Sequence, residues 1–207
     1  MVFWKSKSNI AWLVIIAVLL ADQIIKIWIK TSMIEGQEFN VIGDWFRIHF
    51  TENKGMAFGL EFGGDTGKLF LSVFRIIAVV GIGWYLRKLI LEKMPVGLVI
   101  SVSLILAGAL GNIIDSAFYG LIFDHSVNQV ADFCPEDGGY AGFLHGKVVD
   151  MLYFPVFKGF LPSWMPFWGN DYFIFFRPVF NIADAAISTG VAMVLVFQKR
   201  YFKETSK

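Results

Sequence analysis

Four segments, at about 9–29, 68–86, 95–119 and 176–197, are apolar and carry few charges. At roughly 1.5 Å of rise per residue, some 20 residues cross a hydrocarbon core about 30 Å thick. No water is available there to satisfy a free backbone N–H or C=O, so a spanning segment bonds to itself as a helix unless it joins a closed barrel. The chain therefore reads as an all-α integral membrane protein of four transmembrane helices, one membrane domain over 1–207. Its composition, 56% hydrophobic and 17% charged, argues against a water-soluble fold. A net charge of +1 gives no general pull toward nucleic acid.

The start of the chain imitates a secretory signal, with Lys5 and Lys7 ahead of an apolar run from Ile10 to Ala21. No small-x-small cleavage site follows, and apolar character resumes after Asp22, so the segment reads as a retained first helix. Orientation follows from lysine and arginine in the short flanks. Lys5 and Lys7, then Arg87, Lys88 and Lys93, then Lys199, Arg200, Lys203 and Lys207 all fall on one side. This puts both termini in the cytoplasm and segments 31–67 and 120–175 outside.

The outer segments have patterns of their own. Residues 36–62 alternate apolar positions (Val41, Phe46, Ile48, Phe50) with Gly43, Gly55 and Gly59, as a small extramembrane sheet would. Tyr153, Phe154, Phe157, Trp164, Trp168 and Tyr172 suit a segment lying at the membrane interface. Residues 124–146 are polar and Gly-rich and read as an exposed loop. Cys134 is the only cysteine, and no Cys/His pattern has zinc spacing, so neither a metal nor a cofactor is expected.

The polar residues inside the spans locate a site. Asp22 and Arg75 each lie about seven residues, roughly 10 Å, from the outer ends of the first and second helices. Asn112 and Asp115 lie near the outer end of the third, and Asn181 and Asp184 near the outer start of the fourth. Each pair has i, i+3 spacing and shares a helix face. A charge at such depth costs on the order of 2.5 to 3.5 kcal/mol, so these groups face partners or a wet cavity. Asp150 reaches the same layer from above. Two carboxylates held close share one proton, so one can polarise a scissile carbonyl while the other takes a proton from the attacking water. On depth alone Asp115 is as good a member of that pair as Asp150 or Asp184.

Two other readings compete. A proton-coupled membrane transporter would also bury aspartates, but a relay needs polar groups in the cytoplasmic half as well. In a purely structural subunit the same residues would only link helices, and replacing Asp150 or Asp184 by Asn would leave function intact. Asp22 and Arg75 at matched depth suggest an ion pair, and Gly108 and Gly111 close helix packing.

Five blocks, in order, carry a resemblance: Ala21, Asp22, Gln23 and Lys26; Thr51, Asn53, Gly55, Ala57 and Phe58; Gly108, Ala109, Gly111, Asn112 and Asp115; Val148, Val149 and Asp150; and Phe180, Asn181, Ala183, Asp184 and Ile187. Across nearly its whole length the chain resembles the lipoprotein signal peptidases, or signal peptidase II. The resemblance implies a bacterial inner-membrane aspartic endopeptidase, without metal, that cleaves prolipoproteins on the amino side of a diacylglyceryl-modified cysteine. By motif match the dyad is Asp150 and Asp184. Asp22, Lys26, Arg75, Asn112, Asp115 and Asn181 are then supporting residues, and Asn53 and Gly55 belong to an extramembrane cradle that contacts substrate. The expected partners are the lipid-modified substrates and membrane lipid, with a monomer as the default. Two departures stand out. Ser116 follows Asp115 where the family usually has arginine, leaving Arg75 as a substitute, and 124–146 is an inserted outer loop, expected to be a tolerated surface insertion.

Overall fold

In the computed structural model, residues 2–53, 64–155, 157–160, 162–167, 169–175 and 178–203 are described. Helix α1 covers Val2–Lys30, α2 Gly64–Leu91 and α3 Val96–Ile114. The third span continues through a π-helical turn at Asp115–Tyr119 into α4, Gly120–Ile122, and α5 covers Ile182–Lys203. Among the described residues, four helices are long and apolar enough to cross a membrane: Ser6–Lys30, Gly67–Leu91, Val96–Ile122 and Ile182–Lys203.

Beside the four spans stands the small extramembrane sheet that was expected, and it draws strands from the second outer segment as well. Strands β1 (Glu38–Ile42), β2 (Phe46–Asn53), β3 (Val148–Tyr153) and β6 (Val179–Phe180) form an antiparallel sheet in the order β1-β2-β3-β6. Strands β4 (Phe157–Phe160) and β5 (Tyr172–Phe175) pair separately. The 36–62 segment supplies the β1–β2 hairpin, while Gly55 and Gly59 lie outside the described residues. The fourth helix starts at Ile182, not 176. Pro178 disfavours helix in the residue before it, and Asn181 caps the helix by accepting the Asp184 amide at 2.8 Å. Asn181 and Asp184 are thus joined across a cap, not along one helix face.

Small residues let α3 and α5 approach closely. A Cβ on Gly108 would lie 2.1 Å from the Ala183 carbonyl oxygen, and one on Gly190 2.5 Å from that of Ser101. Two apolar clusters flank this seam. One joins Ala11, Ile15, Leu89, Val99, Val102 and Tyr201; the other joins Ile29, Phe50, Tyr119, Phe123, Val149 and Met151. Between the clusters α1 holds Asp22 and Lys26, α3 holds Asn112, and the π-helical turn begins with Asp115, all buried.

The 124–146 segment is the largely exposed outer loop expected, but it is tied to the end of the third span. Its amides cap the carbonyls left open where the third span ends: Cys134 N donates to Ile122 O at 2.7 Å, Ala141 N to Gly120 O at 2.9 Å and Gly146 N to Ser116 O at 2.8 Å. Gly146 comes so close that a Cβ there would meet the Asp115 carbonyl oxygen at 2.1 Å. Within the segment, Ser126 and Ala131 are buried. It is a strap, because helix-terminal carbonyls near the bilayer need partners and these amides supply them.

Candidate active site

Strand β3 is buried over Val148–Met151. Alternation sends Val149 and Met151 into the outer apolar cluster and turns Asp150 to the opposite face. On that face, Asn181 Nδ2 donates to Asp150 Oδ1 at 2.7 Å and Asn53 Nδ2 to Oδ2 at 3.3 Å. Asp184, in the first turn of α5, accepts from Asn112 Nδ2 at 2.7 Å. The two asparagines join the two aspartates, since Asn181 Nδ2 also reaches Asn112 Oδ1 at 3.1 Å. Burial, and then the charge of nearby Asp184, push the Asp150 carboxyl up to about 7.

Asp115 is spoken for. It is fully buried, with Oδ2 2.8 Å from Lys26 Nζ and 3.2 Å from the Val149 amide, and Oδ1 3.0 Å from Gln23 Nε2. Asp22 is committed in the same way: Oδ1 accepts the Ala183 amide at 2.9 Å and Oδ2 pairs with Lys26 at 2.8 Å. Lys26 also donates to Asn112 Oδ1 at 3.1 Å, so this charge cluster touches the asparagine that holds Asp184. Asp22 takes its counter-ion from its own helix, four residues on, in place of the Arg75 pairing expected from matched depth. Arg75, on α2, lies within electrostatic reach of Asp184, Asp150 and Asp115. Ser116 is buried and spends its hydroxyl on Asn112 O at 3.0 Å.

Of the expected site residues, Asp22, Lys26, Asn53, Arg75, Asn112, Asp115, Asp150, Asn181 and Asp184 thus converge on one polar layer, and Gly55 lies outside the described residues. Lys30 and Glu52 were not singled out, and Gln23 was named only as part of the resemblance. Gln23 bridges Asp22 and Asp115 and accepts from Tyr119 Oη at 3.1 Å, and its spacing from Lys26 was the available signal. Lys30 and Glu52 form a second buried ion pair beside it.

The family described as signal peptidase (SPase) II matches residues 14–199. The chain belongs to the signal peptidase II family. A lipoprotein signal peptidase of Porphyromonas gingivalis is 51% identical over 187 residues, covering 90% of this chain and 81% of that protein. One from Amoebophilus asiaticus is 39% identical over 178 residues, covering 84% and 71%. Two bacterial membrane enzymes solved by the in meso method share the fold. The structure at 2.3 Å resolution has a TM-score of 0.59 at 24% identity, covering 96% of this chain and 93% of that one. The structure at 1.9 Å has a TM-score of 0.55 at 26% identity, covering 91% of each. This signal peptidase is an aspartic protease that removes signal peptides from prolipoproteins. That sets aside the transporter reading.

Proposed function

We propose that Asp150 and Asp184 are the catalytic pair and that they cleave on the amino side of a diacylglyceryl-modified cysteine. The observation that carries this is the contrast with the other buried aspartates. Asp22 and Asp115 have both oxygens taken by Lys26, Gln23 or main-chain amides, whereas Asp150 and Asp184 are held by neutral asparagine amides and face each other's charge. A carboxylate locked to a lysine makes a poor proton carrier, and a pair sharing one proton makes a good one.

In the resting pair the shared proton sits on Asp150, the more buried partner. The ionised carboxylate takes a proton from water, the water oxygen attacks the scissile carbonyl carbon, and the Asp150 proton moves toward the developing oxyanion. Collapse of the tetrahedral intermediate breaks the C–N bond, and the amine leaves with a proton from the pair. Arg75 lies within electrostatic reach of both carboxylates, which supports it as the cation that Ser116 cannot supply. Asn53 belongs to the cradle that lines up the peptide.

The site lies toward the outer leaflet, with both termini in the cytoplasm. Lys7 Nζ donates to the carbonyls of Lys93 and Met94 at 2.9 and 2.7 Å, and Gly97 packs on the Tyr201 ring. The three basic clusters therefore gather at one end, opposite the polar layer, which supports the orientation.

A gel-shift assay on a diacylglyceryl-modified prolipoprotein tests the pair. Purified wild type should cleave, and folded Asp150→Asn and Asp184→Asn should lose activity by a factor on the order of 10⁴ or more. Persistent cleavage by either variant would remove that residue from the pair. The pH profile should be bell-shaped. Asp150 is raised to about 7, so its proton is present below that value and lost above it. Activity therefore falls as the pH climbs through about 7.

A further inference from the structure

Above the polar layer lies a second charged cluster that the mechanism does not use. Glu52, on β2, is nearly sealed, with a side chain 1% exposed between Lys30 and Lys147. Lys30 ion-pairs with it, Lys147 Nζ lies 2.8 Å from Oε2, and Ser126 Oγ donates to Oε1 at 3.1 Å. Lys30 in turn donates to Ser126 Oγ at 2.8 Å and sits over the rings of Phe123 and Tyr140 at 5.3 and 5.0 Å. Tyr140 closes the circle by accepting the Lys147 amide at 2.6 Å. Burial would raise the Glu52 carboxyl, but the two lysines hold it below the ordinary range, so it stays charged.

Ser126 and Tyr140 come from the 124–146 strap, Lys147 from the residue just before β3, and Lys30 from the end of α1. The residue after Glu52 is Asn53, whose amide reaches Asp150. Strand β2 is registered on β3 here, with Glu52 opposite Val149 and Thr51 opposite Asp150. Alternation puts the Glu52 side chain on one face and Asn53 on the other. Fixing one fixes the other.

We propose that Glu52 is a positioning residue for this peptidase, and that the strap exists to clamp it, so that β2 holds the Asn53 amide against Asp150. The proposal rests on the reading of Asp150 and Asp184 as the pair. The clamp acts through the Asn53 bond, which favours the ionised form of Asp150. Losing it makes Asp150 keep its proton longer. The charges facing Asp150 are Asp184 from α5, Lys26 from α1 and Arg75 from α2, and a change at Glu52 leaves all three in place.

The test uses the full chain in detergent with a diacylglyceryl-modified prolipoprotein, comparing Glu52→Gln, Ser126→Ala and Asp150→Asn. Glu52→Gln should lower kcat on the order of tenfold, short of the 10²-fold that a 1 Å misplacement can cost. It should also move the alkaline limb of the pH profile upward by about 0.5 to 1 pH unit, the equivalent of one hydrogen bond. Ser126→Ala should shift both in the same direction by less. If Glu52→Gln does not fold, Ser126→Ala, which removes only a neutral bond, decides by the same two readouts. A kcat that falls only with the folded fraction, at an unmoved alkaline limb, overturns the clamp while leaving the pair intact. Cleavage by Asp150→Asn overturns the pair, and the clamp with it.

Discussion

Lys26 and Lys30 stand one helical turn apart on α1, both fully buried and both ion-paired, yet they are held in different ways. The partners of Lys26 come from regular helix or its immediate continuation: Asp22 on α1, Asn112 on α3 and Asp115 at the π-helical turn. Those of Lys30 come from a strand and a strap: Glu52 on β2 and Ser126 in 124–146. The inner cluster sets two carboxylates around one lysine; the outer sets the buried Glu52 between two lysines, with the partly exposed Glu35 3.9 Å from Lys147 at its edge. In the inner cluster the lysine is the part that cannot be replaced, and in the outer it is the glutamate. A buried charge costs most when its last counter-charge is taken away, so the same substitution should have unequal effects at the two positions.

The largest effect is expected inside. Lys26→Met leaves Asp22 and Asp115 buried with no lysine between them, and should destabilise the protein by about 3–5 kcal/mol. Thermal unfolding in detergent should show this together with loss of cleavage. Stability close to wild type would mean that the inner carboxylates do not depend on this lysine. Lys30→Met is milder, because Glu52 keeps Lys147 at 2.8 Å and Ser126 at 3.1 Å. A loss of about 1–3 kcal/mol is expected. Equal costs at the two positions would erase the distinction between the clusters.

That distinction also explains what could be read from the sequence. Asp22, Asn112 and Asp115 stand out because a polar residue inside an apolar helical run is expensive, and helical rise converts residue number into depth. The strands were harder. Residues 176–180 look like the start of a span because Phe176, Val179 and Phe180 are apolar, and only Pro178 and the capping role of Asn181 reveal that the helix starts later. Glu52, Ser126 and Lys147 sit in ordinary polar surroundings, and nothing local shows that the strap will close over them. Depth left Asp115 level with Asp150. Hydrogen bonding separates them, because it depends on which side chains meet across four elements.

A smaller effect is expected at Ser116. Its hydroxyl makes one bond, to Asn112 O, while its carbonyl receives the strap through Gly146 N. Ser116→Ala removes the first and keeps the second, for a cost of about 0.5–1.5 kcal/mol and near-normal cleavage. A large loss of activity from this variant would mean that the hydroxyl itself serves the reaction, and that Arg75 is not the cation standing in for the missing arginine.

The smallest effect belongs to the strap's own cysteine. Cys134 is exposed, and the strap is anchored there by its main-chain amide, which donates to Ile122 O at 2.7 Å, and not by the thiol. Serine keeps that amide and can adopt the same backbone as readily, so Cys134→Ser should change stability by less than about 0.5 kcal/mol and leave cleavage unaltered. Alkylating the wild-type thiol should be equally silent. If either change lowers kcat in the way Glu52→Gln is expected to, the strap is held by side-chain contacts at its outer edge as well as by helix capping, and the outer cluster depends on more of the segment than Ser126 and Tyr140.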